Sequence, residues 1–90
     1  MASEPRPRES FPEEVMLKVF GRAGGEDFGA HVLGIVQRFV PALGQEALRL
    51  RRSRQGRWEC VTLTFTVSSQ ELLEAIYYQL HHDERVVMVL

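Results

Sequence analysis

The stretch RWECVTLTFTV, residues 57–67, decides the fold that the sequence predicts. From position 61 every second side chain is apolar: Val61, Leu63, Phe65 and Val67. The alternate positions hold Trp58, Cys60 and three threonines. A two-residue period in β-branched and aromatic residues predicts a strand with one apolar face. Such a strand belongs to a sheet that is covered on one side and open on the other.

Length and composition predict one small domain. A chain of 90 residues has room for a single core. The net charge is −1, so the chain as a whole does not attract nucleic acid or anionic lipid. Five of the 11 basic residues nevertheless lie between Arg49 and Arg57. The single cysteine, Cys60, allows no intrachain disulfide, and we expect no metal site and no cofactor.

The N-terminus predicts a cytoplasmic protein. No apolar run approaches the roughly 18 residues of a membrane span, and the first residues lack the apolar region of a secretory signal. Residues 1–10 contain two prolines, two arginines, two glutamates and two serines. This composition predicts a disordered tail in front of a domain over residues 11–90.

Two strands and a helix are predicted before residue 57. Residues 15–20 alternate and predict a strand that ends at Gly21. Asp27 is the predicted N-cap of an amphipathic helix of about 13 residues. Residues 46–54 alternate again, and their arginines are typical of an edge strand. A tight turn at residues 53–56 joins this strand to the next.

A second helix and a last strand complete the predicted order. Ser68 and Glu71 have the spacing of a capping box at the start of the helix. Residues 85–90 are mostly apolar and predict the final strand. The order βαββαβ predicts an α+β fold: a two-layer ferredoxin-like sandwich in which a four-stranded antiparallel sheet has two helices on one face.

Several short runs resemble the YbeD family of small bacterial proteins. The first is Phe11-Pro12, five residues and then Lys18-Val19-Phe20-Gly21. The others are Val32 through Arg38 with Pro41, the Ser53-x-x-Gly56-x-Trp58 turn and the terminus Val87-Met88-Val89-Leu90. Together they span residues 11–90. Departures from the family pattern fall at Phe39, Trp58 and Cys60.

The resemblance implies a fold similar to the ACT regulatory domains of amino-acid metabolism. It also implies a cytoplasmic protein of unassigned biochemical role, with no catalytic residues to transfer. ACT domains commonly bind small effectors near the loop after the first strand, often at a dimer interface. The resemblance therefore indicates these ligand-binding candidates: Gly21, Arg22, Gly24, Gly25 and Asp27. The alternative is a flexible connection that needs positive φ angles.

The arginine-rich hairpin is a second candidate surface. If the cross-strand register keeps the leucines inward, Arg49 and Arg51 share a face with Trp58, and Arg54 lies in the turn. Arginines beside an exposed aromatic ring are typical of single-stranded nucleic-acid binders. Against this hypothesis, the third strand follows Trp58 with threonines and lacks an aromatic pair. The alternative is a solvated edge strand that charge protects from aggregation.

The final strand is a third candidate surface. Residues 86–90 are apolar at both parities, so part of the strand is exposed, with Met88 as the candidate contact. Together with Met16, Phe20 and Trp58 on the open sheet face, it predicts a protein interface or a homodimer. No Ser/His/Asp set, acid pair or metal-ligand spacing points to an enzyme.

The sequence therefore favours a non-catalytic regulatory or adaptor module that binds an unidentified protein partner or a small metabolite. Weak single-stranded nucleic-acid binding through the Arg49–Trp58 hairpin is the alternative. No membrane association is expected. We also expect that the chain is not an enzyme.

Overall fold

The computed structural model describes residues 11–90 and has the predicted ferredoxin-like α+β fold. Its elements are β1 (Glu13–Arg22), α1 (Phe28–Gln37), a 3₁₀ turn (Gln45–Ala47), β2 (Leu48–Arg52), β3 (Trp58–Val67), α2 (Gln70–His81) and β4 (Val86–Val89). The strands lie in the order β2-β3-β1-β4, and all neighbours are antiparallel. The predicted tail, residues 1–10, lies outside the described residues.

The core lies between the two helices and the side chains at alternate positions of the central strands β1 and β3. Leu17 pairs with Leu63 and Val19 with Val61, and all four side chains are buried. The helices add their apolar stripes, in which the fully buried members are Phe28, Val32, Val36, Ile76 and Leu80. Burial of each large apolar side chain contributes roughly 1.5–3 kcal/mol. Because both helices cover the same parity, the other face of the sheet stays open.

Helix α1 begins where the sequence predicts and ends early. The Asp27 carboxylate accepts a hydrogen bond from the Ala30 N–H at 3.1 Å, which confirms the predicted N-cap. The regular helix ends at Gln37, after 10 residues. The Phe39 N–H then donates to the carbonyl of Val36, three residues back. This tightening precedes Pro41, whose ring disfavours a helical conformation in the residue before it.

The predicted N-cap of α2 is wrong by one residue. Ser69, not Ser68, caps the helix, and its Oγ accepts a hydrogen bond from the Leu72 N–H at 3.1 Å. Glu71 therefore lies two residues after the cap, and the capping-box spacing is not used. The reason is that Val67, the last residue of β3, is fully buried. Ser68 is needed to leave the sheet before the helix begins.

We expect Ser69→Ala to lower the free energy of unfolding by about 1 kcal/mol, because the N–H of Leu72 loses its acceptor. The matched control is Ser68→Ala, which should change stability by less than about 0.5 kcal/mol. Urea denaturation followed by circular dichroism measures both values. A larger loss for Ser68→Ala than for Ser69→Ala would contradict this assignment.

Two strand boundaries also differ from the sequence prediction. Strand β1 does not end at Gly21 but continues to Arg22, which pairs with Trp58. Strand β2 does not begin at position 46, because residues 45–47 form the 3₁₀ turn. The predicted turn between β2 and β3 is confirmed: the Gly56 N–H donates to the Ser53 carbonyl at 2.9 Å, and Gly56 has φ 75°.

Candidate functional site

The uncovered side of the sheet, here called the open face, consists of the strand residues whose parity points away from the helices. One row crosses all four strands on this face. Met88 of β4 lies opposite Phe20 of β1, Phe20 lies opposite Cys60 of β3, and Cys60 lies opposite Arg51 of β2. We call these four residues the open-face row. It runs from an apolar edge to a charged edge.

The open face is basic although the chain has a net charge of −1. Lys18 and Arg49 flank Thr62 on either side, because both pair with it in the sheet. Arg22 and Arg51 belong to the same face by strand alternation. Among the strand residues of the described chain, Glu14 is the one acidic residue with this parity. The face therefore has a local positive potential.

Trp58 gives the open face an exposed aromatic ring. Its relative exposure is 40%, and the Arg22 guanidinium lies over the ring, 5.7 Å from its centroid. Such cation–π contacts stabilise by roughly 0.5–1 kcal/mol at exposed sites. The predicted association of Arg49 and Arg51 with the face of Trp58 agrees with the register. With Phe20, each central strand contributes one aromatic ring to the open face.

The arginines of the predicted basic hairpin do not all lie on the same side of the sheet. Arg52 points to the helix side, where its Nη2 lies 3.0 Å from Oε2 of Glu59. The side chain of Glu59 is 7% exposed, so Arg52 neutralises a buried carboxylate. Arg54 lies in the turn, where it lines a shallow depression of about 270 Å³ next to Trp58. The hairpin thus provides Arg49 and Arg51 to the open face, whereas Arg52 lies on the helix side and Arg54 lies in the turn.

The glycine loop forms a cleft of about 550 Å³ between β1 and the start of β4. The candidates Arg22, Gly24 and Gly25 line it. Gly24 has φ 101°, a conformation that favours glycine. The other two candidates have structural positions: Gly21 is buried under α1, and the Asp27 carboxylate caps α1.

Arg85 lines the same cleft and was not among the predicted site residues. Its guanidinium donates to the carbonyl of Glu26 and lies over the Phe28 ring, 5.3 Å from the centroid. An alanine Cβ at Gly25 would lie 3.1 Å from the same guanidinium. Arg85 therefore fixes the glycine loop against the junction of α2 and β4. The sequence separation of 59 residues between Arg85 and Glu26 explains why local patterns did not indicate it.

The two edges of the sheet differ in charge. Strand β4 is an edge strand with no charged residue, and its Val87 and Met88 are 57% and 46% exposed. Strand β2, at the opposite edge, has three arginines in five residues. Charge is a common protection of edge strands against pairing. The β4 edge lacks this protection.

The histidines hold structural positions. His31 Nε2 lies 2.8 Å from Asp83 Oδ2, which joins α1 to the end of α2. His81 and His82 stack on the tyrosines four residues earlier. Within residues 11–90, no three His, Cys, Asp or Glu residues are arranged to hold a metal ion. The helices of this part of the chain are too short or too polar to cross a membrane.

These surfaces define a small ferredoxin-like α+β domain with one open sheet face and one edge strand that has no charged residue. Its chain belongs to a family described as "Protein of unknown function (DUF493)", whose sequence model matches residues 7–90. This match agrees with the resemblance to YbeD-like proteins and confirms it.

The relatives cover nearly the whole chain. The UPF0250 protein of Azotobacter vinelandii is 42% identical over 85 residues, which are 93% of this chain and 91% of that protein. The UPF0250 protein of Ectopseudomonas mendocina is 40% identical with the same coverage. The one from Nitrosomonas europaea is 30% identical over 80 residues, 89% of this chain and 91% of that protein. The family description assigns no function.

Proposed function

We propose that this protein is a cytoplasmic, non-catalytic adaptor or regulatory module, similar in architecture to ACT domains, that binds a protein partner on its open face and acts as a homodimer. One observation supports this proposal above the others: the open-face row is apolar at Met88 and Phe20, ends in the cation Arg51, and lies beside the cations Lys18 and Arg22. An apolar patch bordered by charged residues on one side is compatible with a protein interface.

The charge of the open face indicates the chemistry of the partner. Lys18, Arg22, Arg49 and Arg51 face a partner across one sheet surface, with Glu14 as the opposing charge. A partner segment that places an apolar side chain near Phe20 and acidic side chains around it would fit. Such complementary charge accelerates association and sets its orientation, whereas the buried apolar contact supplies most of the affinity.

The glycine-loop cleft is a weaker candidate for a metabolite-binding site than the open face is for a protein-binding site. Gly21 and Asp27 are used within the fold, and Arg85 already contacts the Glu26 carbonyl and the Phe28 ring. Arg22, the one cation of the predicted set, lies over Trp58. A ligand in this cleft would have to displace contacts that hold the loop.

Single-stranded nucleic acid is a second candidate partner, and one specific observation favours it. Phe20 and Trp58 place an aromatic ring on each central strand of the open face, and four cations surround them. Aromatic rings on central strands beside basic residues are what sheet-based RNA binders use to stack bases. The apolar Met88 at the edge of the row has no use in base stacking, which is why the protein partner ranks first.

We expect the tagged protein to retain a protein partner from its native lysate after nuclease treatment. The variant Arg51→Glu should reduce the retained amount at least about tenfold, because it places a carboxylate within the basic face. The matched control is Arg38→Glu at the exposed end of α1, away from the sheet. Quantitative mass spectrometry of the captured proteins measures both variants.

Two outcomes would contradict the proposal. If nuclease removes the captured proteins and Trp58→Ala abolishes recovery of nucleic acid, the second candidate replaces the first. If Arg51→Glu and Arg38→Glu retain the same proteins in the same amounts, the open face is not the binding surface.

A further inference from the structure

We propose that two copies of this chain join through their β4 strands, antiparallel, to form one continuous eight-stranded sheet. This inference deepens the homodimer of the proposed function. It depends on the β4 edge alone, so the identity of the partner on the open face does not affect it. Its support comes from the backbone hydrogen bonds of β4, the charges of both sheet edges and a register that a twofold axis allows.

The backbone of β4 offers unpaired groups at the edge. Lys18 and Leu90 exchange both backbone hydrogen bonds, at 2.9 and 2.7 Å. The adjacent pair, Val19 and Val89, is therefore of the non-hydrogen-bonded kind, and the N–H and C=O of Val89 point away from β1. In the described ladder between β1 and β4, the register shift leaves Val87 without a residue opposite it. Val89 can thus accept a further strand, and Val87, which has no residue opposite it, is the next position along this edge.

The charges of the two edges select β4 over β2 for contact between identical chains. A second copy at β2 would bring Arg49, Arg51 and Arg52 close to the same three residues. Like charges placed opposite each other on neighbouring strands are destabilising. A second copy at β4 meets residues 86–90, which are Val, Val, Met, Val and Leu, so no charges oppose each other.

A twofold axis allows several registers, and we choose the one that uses both Val87 and Val89. When Val87 of one copy lies opposite Val89 of the other, the outward-facing Val89 of each copy meets the unopposed Val87, and Met88 lies opposite the same residue of the second copy. Met88 has the parity of the open face, so this contact extends the open-face row from Phe20 and Met88 of one chain into those of the other. Two apolar ends that were exposed then cover each other.

The predicted dimer is weak. Its contact consists of one short strand pair with the side chains around it, well below the roughly 1,600 Å² of a standard stable interface. We therefore expect a dissociation constant in the micromolar range, on the order of 10 µM. Only a concentration series can show such an equilibrium.

Sedimentation velocity over about 1–500 µM tests the inference, in the range where a micromolar equilibrium is visible. We expect Val87→Lys to raise the dissociation constant at least about tenfold, because two lysines enter each strand pair. The matched control is Leu50→Lys, the same kind of change at an exposed position of the β2 edge, which should leave association unchanged. Circular dichroism spectra and melting curves verify that both variants fold.

A disulfide test identifies the occupant of the edge. In a Cys60→Ser background, Met88→Cys should form a covalent dimer with oxidised glutathione, since non-hydrogen-bonded pairs have Cα atoms about 4.5 Å apart, within disulfide reach. Leu50→Cys in the same background should remain monomeric. A chain that stays monomeric at every concentration would overturn the inference, as would crosslinking through Leu50→Cys instead. Failure of this test leaves the lysate capture result intact, so the two proposals are distinguishable.

Discussion

Replacement of Phe28 by alanine is expected to lower the free energy of unfolding by about 3–5 kcal/mol. Phe28 is 1% exposed and is the first residue of α1. Its ring packs against Gly21, lies 6.5 Å from the His31 ring centroid and lies beneath Arg85. The substitution therefore removes core volume and an aromatic contact together. A domain of this size has a total stability of roughly 5–13 kcal/mol, so the variant should be near the limit of folding.

Urea denaturation with circular dichroism detection measures this loss. The matched control is Phe39→Ala, because Phe39 lies after the helix and is only partly buried. We expect Phe39→Ala to cost less than half as much as Phe28→Ala. Equal losses for the two variants would show that Phe28, at the N-terminus of α1, contributes no more to stability than a partly buried phenylalanine.

The second large effect is expected at Gly21. A Cβ added there would collide with the Phe28 ring and would lie 2.7 Å from the backbone carbonyl oxygen of Arg85. Overpacking of this kind typically costs 1–3 kcal/mol, so we expect Gly21→Ala to destabilise by about 2–3 kcal/mol. In the Phe28→Ala background the cost should fall, since the ring is gone, but it should not vanish, since the carbonyl remains.

The control for Gly21→Ala lies in the same protein. Gly34 is in the interior of α1, and a Cβ there would meet nothing within 4 Å. Gly34→Ala should therefore raise the free energy of unfolding by about 0.5–1 kcal/mol. Thermal melts of Gly21→Ala and Gly34→Ala measure the two single effects. The melt of the Gly21→Ala/Phe28→Ala double variant, compared with that of Phe28→Ala, measures the cost without the ring. A neutral Gly21→Ala would mean that the contact of β1 with α1 can open at little cost.

The pattern of residues 57–67 accounts for most of what the sequence predicts about the fold. Its alternation identifies β3, its threonine face predicts the open face, and the order of elements around it gives the topology. The errors fall at element ends, as with the cap at Ser69 and the extension of β1 to Arg22. Local propensity does not distinguish Ser68 from Ser69. The choice depends on where Val67 must lie in the core.

The candidate site was only partly predictable for a related reason. Arg49, Arg51 and Trp58 were predicted to share a face because the hairpin between them fixes their register. The alternation within β1 also predicted Phe20 on this face. Lys18 was not predicted, and it joins the others through the pairing of β1 with β3, which links residues about 40 positions apart. A projection of all four strands onto one predicted register could have found Lys18. Arg85 offered no such signal, because its contacts depend on the path of the glycine loop.

The contrast between the two sheet edges also limits how far assembly can proceed. A sheet with two receptive borders can add copies end to end and grow into a fibre, because each addition exposes a new border. In this protein the arginines of β2 close one border of every chain. The proposed pairing at β4 would therefore use the one border of the described sheet that has no charged residue, and it would leave arginines at both outer margins. In the proposed assembly, those three arginines would limit association to two subunits and keep the product finite.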